Sequence, residues 1–304
     1  MKLEDIHRPE PQEGEVLIKV HAAGVNFIDT YQRSGLYRVQ LPYTLGLEAA
    51  GEVARSSSPD FKPGDKVVHA SAPGAYAEFM LVPAGKLVKI PPGLSPKIAA
   101  AAILQGMTAH YLVHSAYPLK PGDTCVIHAG AGGVGLLLIQ MAKRIGAAVI
   151  ATAGSDDKLR LAKEVGADHT VPYEGFAQKV RELTGGKGAQ VVYDGVGKST
   201  FGGSLESLAI RGMLVLYGQA SGPVAAFDPQ LLNAKGGLFL TRPSLWHYTQ
   251  TREELEWRAN DVMNWAAKGD LKVRVGAEFP LSQAAEAHRK LQGRETTGKV
   301  LLIP

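Results

Sequence analysis

The sequence predicts an α/β protein in which a doubly wound, parallel six-stranded sheet is inserted into a β-rich domain. Three observations predict it. Residues 124–153, TCVIHAGAGGVGLLLIQMAKRIGAAVIATA, read as strand, glycine turn, apolar helix and strand. From there to about residue 244, strand-like and helix-like stretches alternate, and such crossovers imply parallel strands covered on both faces. Residues 1 to about 100 and the closing stretch instead carry short alternating runs, so the alternating block interrupts a different domain.

The first part, residues 1–104, is read as strands in GEVLIKVHAAGV, GLEAAGEV, GDKVVHA, AYAEFMLVP and LVKIPPG, with a turn at Lys62-Pro63-Gly64-Asp65 and a stop at Pro91-Pro92. No helix of ordinary length fits before Ser95. Ser95 caps an alanine-rich helix, and a second helix spans about Leu104 to Tyr117 before Pro118. The inserted block, 105–244, continues after the opening βαβ with a helix from Ser155 to Val165, strand HTVPY, a helix from Phe176 to Leu183 and strand QVVYDGVG. A helix around Ser204 to Leu208 and strands LVLYGQ and LFLTRPS follow. In the last part, 245–304, Thr251 and Glu254 form a capping box for a helix stopped by Gly269. A strand around Leu271 to Val275, a helix from Ser282 to Leu291 and the strand KVLLIP complete the chain.

Composition narrows the function classes. The chain has 304 residues, 45% hydrophobic and 20% charged, as ordinary globular proteins do. No window approaches the ~18 uninterrupted apolar residues of a membrane span, and the polar start lacks a signal-peptide pattern, so a cytoplasmic address is expected. The single cysteine, Cys125, forbids an internal disulfide or a thiolate zinc cluster, and its place in an apolar strand makes it a core residue. The net charge of +4 is spread without a Lys/Arg block or interleaved aromatics, which argues against nucleic acid and for an anionic ligand.

The glycines identify that ligand. Gly130, Gly132 and Gly135 satisfy G-x-G-x-x-G where a strand becomes a helix, the Rossmann fingerprint of a dinucleotide site. Gly130 is read as the sharp turn, Gly132 as the gap for a pyrophosphate and Gly135 as the close helix–strand contact, with the helix N-terminus aimed at the phosphates. Rossmann strand 2 normally ends in an acid that binds the ribose hydroxyls of NAD, but here VIATA ends in Gly154 and Ser155. Ser155 and Lys158 can hold a 2′-phosphate instead, with Tyr173 covering it. Asp156 and Asp157 are read as first-turn carboxylates of the next helix. The expected cofactor is NADPH.

The runs AAGVNFIDTYQRSGLY, LPYTLGLEAAGEV, FKPGDKVV, HAGAGGVGLLLIQMAK and VVYDGVG resemble the medium-chain dehydrogenase/reductase superfamily over essentially the whole chain. Within it they look like the zinc-free quinone oxidoreductases, the zeta-crystallin-like branch, and TRPSL and LLIP look like its bacterial members. The resemblance implies a GroES-like catalytic domain, a Rossmann domain, NADPH, a homodimer, and reduction of quinones or related conjugated carbonyls in an interdomain cleft. It also implies that Gly130, Ala131, Gly132, Gly133, Val134 and Gly135, with Thr108, Tyr217, Gly218 and Gln219, contact the cofactor. Asn26, Asp29, Tyr31 and Tyr37 fall at the nicotinamide and substrate end. Relatives extend further before Lys2, with a first strand, and have a longer glycine-containing turn where this chain has ARSSSPD.

Zinc-dependent relatives hold the metal with a Cys at the position of Asn26 and a His at that of Leu47, followed by the glutamate matched by Glu48. Asn and Leu cannot supply those ligands, so no metal is expected. His110 and His114 share a helix face at i, i+4 spacing, but no third ligand accompanies them, and a polar helix face is the reading preferred. Without a metal, hydrogen bonds and positioning must serve hydride transfer. Tyr31 and Tyr37 can offer a ring face and a hydroxyl, Asn26 can orient ligand by its amide, and Asp29 is read as fixing its neighbours. Two other functions stay open: reduction of α,β-unsaturated carbonyls, and an RNA-binding or crystallin-type structural role.

Overall fold

The computed structural model describes all residues, Met1–Pro304. Two compact units form, Met1–Met107 with Thr249–Pro304, and Thr108–Tyr248.

Along the chain, β1 (Glu15–Val25) carries a nearly continuous buried run. It is followed by α1 (Phe27–Ser34), a helix that the sequence pattern does not announce. Eight residues are too few for an apolar period to show, and its ends are set by polar and backbone contacts instead. The Asp29 carboxylate accepts from the Asn26 N–H at 2.8 Å, and Gly35 closes the helix at φ +79°. Then come β2 (Ala49–Ser56), β3 (Lys66–His69), β4 (Phe79–Pro83) and β5 (Val88–Lys89).

The two helices expected on either side of residue 104 are one, α2 (Pro96–Tyr111), continued by a wide π-helical turn over Leu112–Ala116. Gly106 lies in its middle without breaking it. A Cβ there would sit 2.4 Å from Val262 Cγ1, so the glycine provides clearance for a neighbour.

The next stretch holds β6 (Thr124–Ile127), α3 (Gly133–Ile145), β7 (Ala148–Ala153), α4 (Asp156–Glu164), β8 (His169–Pro172), α5 (Phe176–Leu183), β9 (Ala189–Asp194), α6 (Phe201–Ser207), β10 (Leu208–Leu216), α7 (Gln230–Ala234) and β11 (Phe239–Thr241). β10 begins at Leu208, earlier than the pattern suggests, and the short α7 has no sequence signal. The final stretch holds α8 (Arg252–Lys268), β12 (Val275–Pro280), α9 (Ala284–Gln292) and β13 (Lys299–Ile303). The Thr251/Glu254 capping box and the Gly269 stop are present on α8. β12 starts where the expected strand ends, because its parallel register with β13 pairs Val275 with Lys299.

The first unit's sheet runs β12-β13-β1-β2-β3-β5, with β4 also paired to β1. Val16, Ile18, Val53, Val67, Leu87 and Val300 are among its core residues. In the second unit the sheet is parallel, ordered β8-β7-β6-β9-β10-β11, as the alternating pattern requires. The chain leaves β6 toward one edge and returns at β9 toward the other. Ligands in such sheets bind at that switch, beyond the carboxyl ends of the strands. No helix is long and apolar enough to cross a membrane.

Candidate functional site

The glycine bend leaves the sheet at that switch. The left-handed residue that turns the chain is Ala129, at φ +53°, and not Gly130 as expected. Gly130 is required for a different reason: a Cβ on it would stand 3.0 Å from the Ala151 methyl of β7 and 3.2 Å from that of Ala162 in α4. At Gly135 a Cβ would meet the Ala129 carbonyl oxygen at 2.3 Å and the Gly130 backbone at 2.9 Å. Gly132 is the N-cap of α3, no side chain caps the helix, and its first turn has no acid. The helix therefore offers its first N–H groups and dipole to an anion. This arrangement fits a pyrophosphate, with Ala131, Gly133 and Val134 supplying backbone around it.

A buried relay under the bend was not visible from the residue pattern. Ser204 donates to Asp194 at 2.9 Å, so its oxygen must accept from His128 Nε2 at 3.0 Å, which leaves Nδ1 to accept from the Thr152 hydroxyl at 2.7 Å. Burial holds His128 below the usual imidazole range, in keeping with this neutral tautomer. The relay ties the carboxyl ends of β6, β7 and β9 together. Asp194 also accepts from the N–H groups of Val196 and Gly197, at 2.7 and 2.9 Å, and so shapes the loop after β9. That loop touches the one after β10: a Cβ on Gly218 would lie 2.5 Å from the Gly195 oxygen. Tyr217 stands at this junction near Asp194, and burial raises its hydroxyl above the ordinary phenol range. Gln219 follows it, and a Cβ on Gly197 would lie 3.0 Å from its Cα.

At the end of β7, Ser155 is exposed and serves as N-cap of α4 without a side-chain bond, so its hydroxyl is available. Lys158 is one turn further on, half-buried. Asp156 and Asp157 occupy the exposed first turn, and Asp157 pairs with Arg160 at 3.0 Å, as helix-stabilising acids do. The Tyr173 hydroxyl accepts from the Ala129 N–H at 3.0 Å, which ties it to the bend. Thr108 is buried in the last turn of α2.

In the first unit a second polar cluster is buried. Asn26 is 6% exposed, Glu48 0% and Lys299 1%. The Lys299 ammonium pairs with Glu48 Oε2 and donates to Asn26 Oδ1 at 2.8 Å. Asn26 Nδ2 donates to Glu48 Oε2 at 2.9 Å and to the Gly24 carbonyl at 3.3 Å, and Glu48 Oε1 accepts from the Leu104 N–H at 2.8 Å. Gly24 makes the room: a Cβ on it would lie 2.0 Å from Glu48 Oε2. Lys299 and Gly24 were missed by the sequence reading. A lysine opening an apolar strand and a glycine inside one are the signals that could have found them.

Asp29 is wholly buried beside this cluster, so it supports neighbours and presents no open face. Tyr76 donates to Asp29 Oδ2 at 3.0 Å, so the same hydroxyl oxygen must accept from His288 Nε2 at 2.9 Å. Asp29 Oδ1 and His288 Nδ1 are left without partners. Burial pushes the Asp29 carboxyl up to about 7, against the pull of the Asn26 N–H, Lys299 and Tyr76. The sign follows: the folded protein holds this proton to higher pH than the unfolded chain. Asp29 therefore costs stability progressively as pH rises from about 4 to about 7. Three pH units correspond to at most about 4 kcal/mol. Asp29→Asn should remove that slope. Urea midpoints at pH 5 and 8 should show the variant gaining on the parent at the higher pH, and a constant difference would refute the assignment.

Tyr31 and Tyr37 come together, ring centroids 5.3 Å apart and edge to face, and Tyr37 is 38% exposed. His110 and His114 also approach, at 4.4 Å, but His110 is completely buried, so the pair is not a polar surface face. No group of three His, Cys, Asp or Glu side chains could share a metal ion. Cys125 is buried and its thiol is pushed up to about 12, as a core residue's would be.

Residues 12–92 match the alcohol dehydrogenase GroES-like domain, and residues 133–257 match the zinc-binding dehydrogenase domain. A quinone oxidoreductase of Pseudomonas aeruginosa is 44% identical over all of this chain and 95% of its own length. The crystal structure of Escherichia coli quinone oxidoreductase complexed with NADPH superposes with a TM-score of 0.97, at 42% identity, over 99% of this chain and 95% of that one. A 2-haloacrylate reductase of Burkholderia sp is 40% identical over 99% of this chain and 94% of its own length.

Proposed function

This chain belongs to the quinone oxidoreductase branch of the medium-chain dehydrogenase/reductase family, and from that premise we propose how its residues serve the reaction. It is an NADPH-dependent oxidoreductase that passes reducing equivalents to a quinone. The observation that carries this reading is the uncapped α3 N-terminus behind a bend with no space for side chains at Gly130 and Gly135. Bound NADPH supplies a hydride.

The second unit holds the dinucleotide at residues 130–135, with Thr108, Tyr217, Gly218 and Gln219 around the rest of it. Ser155 and Lys158 take the 2′-phosphate, and Tyr173 steadies the bend through Ala129. Tyr31 and Tyr37 flank the flat acceptor, Asn26 orients ligand, and Asp29 holds Asn26 and the start of α1. No metal takes part, since Asn26 and Leu47 stand where relatives place ligands and Lys299 already puts a cation beside Glu48. The enzyme works in the cytoplasm as a homodimer, for which β11, an edge strand with Phe239 55% exposed, is the supporting feature. Sedimentation at the monomer mass would remove the dimer.

The similarity to a 2-haloacrylate reductase favours a second acceptor class, conjugated carbonyls. Steady-state NADPH oxidation after dialysis against a chelator, over graded quinones and alkenals with NADH as control, separates the readings. We expect turnover on quinones and a strong preference for NADPH. Lys158→Ala should raise the NADPH KM about tenfold while leaving that for NADH unmoved, as loss of a charge-assisted bond would. Equal losses for both cofactors would move the phosphate site elsewhere.

A further inference from the structure

We propose that Lys299 is a positioning residue that fixes the polarity of the Asn26 amide, so that Asn26 can only accept a hydrogen bond from a bound ligand. An ammonium donates and never accepts, and a carboxylate only accepts. The amide between them has one satisfied orientation, oxygen toward Lys299 at 2.8 Å and nitrogen toward Glu48 at 2.9 Å. Reversal would face N–H against ammonium and carbonyl against carboxylate, both unfavourable in a buried site.

The count of bonds then decides what is left. Both Nδ2 hydrogens are committed, one to Glu48 and one to the Gly24 carbonyl at 3.3 Å. Of the two lone pairs on Oδ1, one takes Lys299, and the N–H of Asp29 is spent on the Asn26 main-chain carbonyl at 3.1 Å. The remaining capacity is a single lone pair. An ion pair this enclosed is no stability device by itself, since apolar residues of the same volume commonly do as well, so its use lies in what it orients.

A quinone carries no donor, so Asn26 does not polarise the acceptor carbonyl. The partner is an N–H or O–H group: the carboxamide of the cofactor, or the hydroxyl of the reduced product. This rests on the placement of ligand at Asn26 proposed above.

The test uses the full chain and two matched pairs of probes. NADPH is compared with its 3-acetylpyridine analogue, in which a methyl replaces the carboxamide nitrogen, by fluorescence titration. A hydroquinone is compared with its dimethyl ether as an inhibitor. The parent protein should prefer the donor-bearing member about fivefold in one pair, and which pair responds identifies the source. In Lys299→Met the Glu48 carboxylate still holds the amide nitrogen, so the preference should keep its sign. The double variant Glu48→Gln/Lys299→Met replaces the ion pair by a neutral one and lets the amide turn over, so it should lose or invert the preference while melting cooperatively.

No donor preference in the parent with either pair overturns the inference, as does a preference that persists in the double variant. Should Asn26→Ala leave kinetics and both ratios unaltered, the placement of ligand at Asn26 fails instead, and the inference with it.

Discussion

Gly135→Ala is expected to weaken NADPH binding by at least ~100-fold, the order of loss that a misplacement near 1 Å produces at a reacting site. The added methyl would lie 2.3 Å from the Ala129 oxygen and 2.9 Å from the Gly130 backbone. All of these atoms are main chain, so no side chain can swing aside. Either α3 moves outward, taking its N–H groups from the phosphates, or the bend itself opens. Gly202→Ala, in α6, is the matched control, because nothing lies within 4 Å of a Cβ there. It should bind NADPH as the parent does and melt no lower. Fluorescence titration and thermal melting of both variants decide the matter. Full NADPH affinity in Gly135→Ala would mean that the bend is not the cofactor's seat.

Glu48→Leu carries the largest expected loss of stability. It leaves the Lys299 ammonium without a counter-charge at 1% exposure and strips partners from Asn26 Nδ2 and the Leu104 N–H. Removing one member of a buried pair typically costs about 3–5 kcal/mol. In a protein of this size the midpoint should fall by roughly 10 °C. Glu48→Gln, which keeps acceptor and donor in place, should lose less. A Glu48→Leu protein that melts with the parent would show that Lys299 finds water or another partner, and the enclosed pair would have no structural weight.

The second unit was legible because its order is local. Each strand is followed by a helix, so apolar runs, Gly130-x-Gly132 and the Ser155 boundary mark their own positions, and Phe176–Leu183 falls where the pattern puts it. The first unit was legible as strands only. Its short helix α1 is defined by Asn26, Asp29 and Gly35 and not by an apolar period, and α2 crosses Gly106 because Val262, far away in sequence, needs the space. Asn26 stood out in the sequence through its motif. What it touches did not, since Lys299 lies 273 positions along the chain. The direction of the His128 relay was likewise hidden, for it depends on which of three neighbouring groups has a hydrogen to give.

The lysine beside Glu48 comes from β13, which lies between β12 and β1 in the first unit's sheet. During synthesis, Glu48 emerges some 250 residues before its counter-charge, the pair being 251 positions apart. The second unit needs only its own unbroken stretch, Thr108–Tyr248, to complete its sheet. On the ribosome the nucleotide-binding half can thus be finished while the other half still lacks the strand that joins β12 to β1. Closure of the first unit's sheet waits for a strand that is made after the whole of the second unit.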